Sequence, residues 1–128
     1  MTGEAVILLC GLFLAHYLGD FTPLATRRML QAKAAAKPLW PIAAHAGVHT
    51  CLIALVIALA SYPDVPLLLL ACAIQFFTHF LLDAGRAGLG RRHPGLNDPA
   101  RSRFWHVLGL DQLAHAIVLI VVAAIVLA

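Results

Sequence analysis

The chain has 128 residues, which is enough for one compact domain and too few for two. Hydrophobic residues make up 62% of the sequence and charged residues only 12%, a balance that excludes a soluble globular domain of this size. The formal net charge is +3, but no folded basic module surrounds the basic residues, so we expect no nucleic-acid partner. Residues 1–128 are therefore predicted to form a single integral membrane domain.

Four apolar runs account for most of the chain, and each is close to the roughly 20 residues that cross a bilayer as a helix. They cover residues 5–24, 39–60, 66–84 and 105–128. Backbone in lipid must satisfy its own hydrogen bonds, and the runs are too long and too uniformly apolar for barrel strands, so each is predicted to be a helix. The short connections predict an all-α, antiparallel bundle of four transmembrane helices.

Three connections join these runs. The first, residues 25–38, contains good helix formers of mixed polarity and predicts a short helix lying at the membrane interface. The second, around residues 61–66, is a tight turn with two prolines. The third, residues 85–104, is rich in Gly, Pro and Arg and predicts an irregular loop.

The basic residues predict the orientation of the bundle. All nine Lys and Arg residues lie in the loops 25–38 and 85–104. By the positive-inside rule both loops face the cytoplasm, and both termini lie on the opposite side of the membrane. Trp40 and Trp105 open the second and fourth runs, where an indole ring at the cytoplasmic boundary is favoured.

Each apolar run also carries one pair of residues of metal-ligand type at spacing i, i+4. The pairs are His16 and Asp20 in "HYLGD", His45 and His49 in "HAGVH", His79 and Asp83 in "HFLLD", and Asp111 and His115 in "DQLAH". This spacing places both side chains of a pair on one face of a helix, about 6 Å apart along its axis. Every helix is therefore predicted to direct two polar side chains towards the same side.

The predicted topology brings all four pairs to the same depth, in the cytoplasmic half of the membrane. The layer nearer the cytoplasm is predicted to contain Asp20, His45, Asp83 and Asp111. The deeper layer is predicted to contain His16, His49, His79 and His115. The eight side chains would then form one cluster inside the bundle.

A buried aspartate costs at least about 2.5 kcal/mol, whereas an interhelical hydrogen bond typically returns about 1 kcal/mol or less. Three aspartates and five histidines are therefore costly if they only hold helices together, and a metal ion would offset the cost. We predict a site for one or two divalent metal ions, with zinc favoured and iron or manganese as alternatives. Structural hydrogen bonding and a proton or ion pathway stay open as other interpretations.

Four motifs carry a resemblance to a known family. In order they are "AHYLGDF", a loop ending in "KPLWPIAAHAGVHT", "THFLLD" and "LDQLAH". Over residues 15–116 the chain resembles the small bacterial membrane proteins known as domain of unknown function 3307. The resemblance implies a multi-pass protein of the bacterial inner membrane and implies no activity. The His-x-x-x-Asp helices are also similar to those of membrane-bound metal-dependent hydrolases and of zinc-dependent phospholipases and nucleases.

These features together predict a membrane-embedded, metal-dependent hydrolase that acts on a lipid or other phosphoester at the cytoplasmic side. Asp20 or Asp111 would act as general base towards a metal-bound water. Candidates for binding a phosphate or lipid headgroup are Arg27, Arg28, Arg86, Arg91 and Arg92.

Two other functions stay open. One is a divalent cation or proton transporter, or a subunit of one, which at this size predicts a homo-oligomer. The other is a di-iron membrane oxidase that uses the same ligands. In each case the expected partners are membrane lipids, and for an enzyme a lipid-like substrate.

Overall fold

The computed structural model describes residues 2–60 and 64–128, and within them the chain forms five α-helices, one short 3₁₀ helix and no strand. The α-helices are α1 (Gly3–Phe21), α2 (Arg27–Ala35), α3 (Trp40–Ala60), α4 (Val65–Arg92) and α5 (Ser102–Val126), and the 3₁₀ helix is Pro94–Asn97. All except α2 are long and apolar enough to cross a membrane. The all-α fold with four candidate spans is confirmed, whereas the side on which the termini lie stays a prediction.

The short helix α2 forms inside the predicted interfacial segment. The Thr26 side chain accepts a hydrogen bond from the backbone N–H of Met29 and so caps the start of the helix. Ala36 ends it in the left-handed conformation, with φ of 57°. Of the predicted turn around residues 61–66, positions 61–63 lie outside the described residues.

Helix α4 differs most from its predicted limits. It continues to Arg92, and α5 already begins at Ser102, so the predicted loop 85–104 is wrong over residues 85–92 and 102–104. The prediction placed the end at residue 84 because the apolar run stops there, but the backbone hydrogen bonds continue until Pro94 prevents further helix. With 28 residues α4 is about 42 Å long and exceeds the roughly 30 Å hydrocarbon core of a bilayer. Its last turns therefore extend past the span.

One buried stripe with a spacing of about four residues runs along each long helix. In α1 it passes from Leu8 and Leu12 to His16, and in α3 it passes from His49 to Ile53. The stripe is thus apolar at one end of the bundle and polar at the other. The apolar end is a core of Leu8, Leu12, Ala15, Ile53, Ile57, Ala71, Leu119, Val122, Ala123 and Val126.

Helix α2 closes the polar end of the bundle. Its buried residue Ala32 and the capping residue Ala36 belong to a small core with Ile42 of α3 and Ala87 of α4. Because alanine has only a methyl side chain, the backbone of α2 can approach both long helices closely. This docking brings the side chains of α2 next to the polar ends of the buried stripes.

The packing of the apolar end predicts different effects for two leucines of α1. Leu12 is fully buried, whereas Leu14 is 56% exposed on the outer surface of the bundle. We expect Leu12→Ala to lower the free energy of unfolding by about 2 kcal/mol, at the low end of the soluble range because lipid replaces water as the alternative environment. Leu14→Ala should change it by less than about 0.5 kcal/mol. Unfolding of the purified variants by SDS titration, followed by circular dichroism, measures both, and equal losses would contradict this packing.

Candidate metal centre

Five histidines from the four long helices meet at the polar end of the bundle. The ring centroids of His49 and His79 are 3.9 Å apart, and those of His79 and His115 are 4.5 Å apart. His16 lies 5.1 Å from His49, and His45 lies 4.6 Å from His49. All five side chains are buried, and His45, His49 and His79 are fully buried. The structure thus brings together the imidazoles of all four predicted pairs.

The carboxylate of Asp20 lies among three of these rings. Its Oδ1 is 2.9 Å from Nε2 of His45 and 3.4 Å from Nε2 of His49. Its Oδ2 is 3.4 Å from Nε2 of His16, the other member of its own pair. Asp20 therefore joins helices α1 and α3.

The carboxylate of Asp83 also lies among three imidazole rings, one from its own helix α4 and one each from α3 and α5. Its Oδ2 is 3.3 Å from Nε2 of His79 and 3.7 Å from Nε2 of His45, and its Oδ1 is 3.9 Å from Nε2 of His115. The carboxylate is almost completely buried, at 1% exposed. A buried anion in lipid requires cationic or hydrogen-bonding partners at this range.

The donor atoms form two overlapping groups that could hold a metal ion. One comprises Asp20, His45, His49 and His79, and the other comprises His79, Asp83 and His115. Within each group, one donor atom per residue lies within 4.8 Å of all the others. In a tetrahedral zinc site neighbouring ligand atoms are about 3.4 Å apart, close to several of the distances above.

Unsatisfied atoms in the cluster support a metal site. Nε2 of His49, Nε2 of His79, Nε2 of His115 and Oδ2 of Asp83 are buried, and among the described residues none makes a hydrogen bond of good geometry. The contacts of 3.3–3.4 Å given above bring carboxylate oxygens near two of these nitrogens without the alignment that a hydrogen bond requires. Leaving a buried polar atom unpaired typically costs about 1–3 kcal/mol. A cation bound by either group would satisfy those of the four atoms that belong to it, since each can offer a lone pair. The residues present therefore fit a divalent metal ion.

Two further contacts orient the imidazoles. Nδ1 of His115 lies 2.8 Å from the backbone carbonyl oxygen of Asp111, so it donates a proton there and leaves the Nε2 lone pair free. Nδ1 of His79 lies 3.4 Å from the side-chain amide of Gln75, which is fully buried one turn away. Such contacts fix the ring positions of metal-binding histidines.

Asp111 lies at the edge of the cluster. It belongs to neither ligand group, and its Oδ1 is 4.0 Å from Nδ1 of His115. Its Oδ2 accepts a hydrogen bond from Nε2 of Gln112 at 3.3 Å, and Oε1 of Gln112 is 3.4 Å from Nε2 of His16. Of the predicted ligands, Asp111 and His16 are thus next to the two groups and outside them.

Lys33 of α2 reaches into the cluster, which the sequence did not indicate. Its Nζ is 2.9 Å from Oδ1 of Asp83, 3.7 Å from Oδ1 of Asp20 and 3.5 Å from Nε2 of His45. Burial alone would lower the pKa of Lys33, but the carboxylates of Asp83 and Asp20 outweigh it and raise the pKa above its usual range. The side chain is therefore an ammonium ion in contact with both carboxylates.

A cavity of about 320 Å³ adjoins the cluster. Its polar lining includes Asp20, Asp83, Asp111, Gln112, Lys33, Arg86 and Asn97, and its apolar lining includes Phe21, Leu30, Phe104 and Leu108. The lining residues belong to α1, α2, α4, the 3₁₀ helix and α5. The cluster is therefore accessible from the end of the bundle that α2 covers.

The five predicted phosphate-binding arginines have different positions. Among the described residues, Arg86 is the only one of the five that lines this cavity, and it donates hydrogen bonds to Oδ1 of Asn97 and to the Leu96 carbonyl oxygen. Arg28 stacks on the ring of Trp40 at 4.3 Å. Arg27, Arg91 and Arg92 are exposed outside the cavity. Phosphate binding by any of them stays a prediction.

The fold and the cluster define a class of protein: a multi-pass helical membrane protein with buried His and Asp groups that could hold a metal ion. The family model described as "Protein of unknown function (DUF3307)" matches residues 8–128, so the chain belongs to this family. This confirms the resemblance carried by the four motifs. No curated protein and no solved structure shows significant similarity to the chain. The similarity to hydrolases stays a prediction.

The contact between Gly19 and His49 generates a prediction for metal binding. A Cβ atom at position 19 would overlap the imidazole ring of His49, which neighbouring rings hold in place. We expect Gly19→Ala to displace this ring and lower metal affinity about 10–100-fold, the range seen when ligand orientation is disturbed. A competition titration against a fluorescent zinc chelator in detergent measures the affinity.

Gly47→Ala is the matched control, because a Cβ at Gly47 meets no atom within 4 Å. Both substitutions favour helix intrinsically, by about 1 kcal/mol relative to glycine, so a difference between them reports on the ring and not on helix stability. Wild-type affinity in Gly19→Ala would show that the position of His49 does not matter for binding.

Proposed function

We propose that the protein is a membrane-embedded, metal-dependent hydrolase that cleaves a phosphoester or other ester of a lipid. The proposed location is the bacterial inner membrane, with both basic loops and the cavity on the cytoplasmic side and both termini on the other. The observation that carries the proposal is the buried His and Asp cluster beside a cavity that is polar on one side and apolar on the other.

The metal would be held mainly by Asp20, His45, His49 and His79. Imidazole and carboxylate donors suit zinc, with iron or manganese as alternatives. Such an ion supplies a water of lowered pKa and polarises the oxygen of the bond to be broken. The chain itself must then supply a proton acceptor and a means of binding the substrate.

Asp111 is the better candidate for the general base. It lines the cavity, belongs to neither ligand group and has one carboxylate oxygen held by Gln112. Asp20 is instead surrounded by three imidazoles and the Lys33 ammonium, which favours a role as ligand. A carboxylate oxygen of Asp111 would accept the proton of the attacking water.

The cavity lining supports a lipid-like substrate with an anionic head. Arg86 and Lys33 provide positive charge, and Asn97 provides an amide, on the polar side. Two of the five N–H donors of Arg86 are used within the protein, so others are left for a phosphate oxygen. The rings of Phe21 and Phe104 offer an apolar surface for an acyl or isoprenoid chain.

The apolar end of the bundle favours an enzyme over a carrier. A pathway for cations or protons requires polar side chains or water across the whole membrane. The buried core described at that end consists of apolar residues, with Leu12, Ile57 and Leu119 among them. The polar cluster thus opens at one end of the described structure and is closed by hydrocarbon at the other.

Replacing Asp111 by asparagine tests the proposed hydrolysis. We expect Asp111→Asn to lower turnover of a lipid phosphoester by at least about 100-fold, because it removes the proton acceptor. Its metal content should stay at the wild-type level, since Asp111 is outside both ligand groups. The assay follows phosphate release from phosphatidic acid and from an isoprenyl phosphate in detergent micelles, alongside elemental analysis of the protein.

Asp98→Asn serves as the control, because Asp98 is an exposed carboxylate paired with Arg101 outside the cavity. It should retain full turnover, while His49→Ala should lose both metal and turnover. Metal-loaded wild-type protein that cleaves neither substrate, or an active Asp111→Asn variant, would contradict the proposal. A bound iron whose absorbance changes on reduction would favour the oxidase instead.

A further inference from the structure

The Lys33 ammonium occupies an oxygen of Asp83, a carboxylate that a second metal ion would need. Its Nζ is 2.9 Å from Oδ1 of Asp83, and it lies farther from two residues of the first ligand group, at 3.5 Å from Nε2 of His45 and 3.7 Å from Oδ1 of Asp20. These three atoms come from three different long helices. An ammonium at hydrogen-bond distance from Asp83 neutralises this carboxylate and occupies one of its oxygens.

The two ligand groups also compete for one residue. His79 belongs to both, and its Nε2 has a single lone pair. The Nδ1 atom of His79 faces Gln75 on the same helix and cannot serve the other group from there. Once His79 binds an ion together with Asp20, His45 and His49, the second group retains only Asp83 and His115.

Charge balance favours the same arrangement. Three carboxylates, those of Asp20, Asp83 and Asp111, lie in the cluster or at its edge, and uncompensated charge is costly inside a membrane. One divalent ion and one ammonium balance these three negative charges, and Arg86 adds a further positive charge in the cavity lining. Two divalent ions together with the ammonium would leave a large excess of positive charge among neutral imidazoles.

We infer that the cluster binds a single divalent metal ion, held by Asp20, His45, His49 and His79, and that the Lys33 ammonium takes the place of a second ion at Asp83. The inference rests on the metal binding that the proposed function assumes, and it does not depend on the hydrolysis. The packing of α2 against α3 and α4 then positions the Lys33 ammonium beside Asp83 as a permanent positive charge of the site.

Metal stoichiometry tests this role directly. Wild-type protein and the variants Lys33→Met and Lys37→Met are loaded with excess zinc in detergent, freed of unbound metal and analysed by elemental mass spectrometry. Methionine keeps an unbranched side chain of similar length and good helix propensity but carries no charge. Lys37 is exposed and lies just after α2, so its substitution removes one lysine without entering the cluster.

We expect one zinc ion per chain in the wild type and in Lys37→Met, and two in Lys33→Met, where Asp83 becomes free to bind an ion together with His115 and the adjacent Asp111. Two ions in the wild type, or one ion in a Lys33→Met variant of unchanged helix content, would overturn the role of Lys33. If Lys33→Met does not fold, the number of zinc ions bound by the wild type tests the single-ion site, and two ions would overturn it. Zero zinc in the wild type would instead remove the metal centre and the proposed function together.

Discussion

The contacts between carboxylates and imidazoles at the polar end of the bundle determine much of the structure. In a low-dielectric interior an unpaired aspartate or histidine raises the free energy of the folded state. Contacts with the other polar groups of the cluster offset this cost. Asp20 of α1 contacts His45 of α3, and Asp83 of α4 lies 3.9 Å from His115 of α5. These contacts require all four pairs to lie at the same depth, so they set the register of the long helices.

The apolar end makes this arrangement possible. Leucine and isoleucine side chains there pack without any polar requirement and hold the four helices together over several turns. In α1 and α3 the buried stripe continues from this core into the pairs with the same four-residue spacing. The apolar half of each helix therefore holds the bundle together and positions the polar half.

Hydropathy and helix periodicity alone predict most of this arrangement. Residues at spacing i, i+4 lie on the same face of a helix. The alternating direction of the four spans then predicts that His16 and His49 lie at the same depth, and the structure has their rings in contact. Hydropathy predicts too early an end for α4, because the apolar run stops at residue 84 whereas the helical backbone hydrogen bonds continue to Arg92. Lys33 was missed because its reach depends on how Ala32 docks against other helices, and the sequence contains no local signal for that contact.

The position of Lys33 links the orientation of the protein to its proposed chemistry. The basic residues that predict a cytoplasmic position for the first loop include Lys33, and the structure inserts this same side chain between Asp20 and Asp83. The loop that predicts the orientation of the bundle thus also contributes a side chain to the cluster. Under that orientation the cavity opens towards the cytoplasm beside Arg86, where positive charge attracts anionic groups from lipid or solution. The opposite end of the bundle is apolar and contains none of these cations, so the cluster lies at the end where the charges that predict the topology are found.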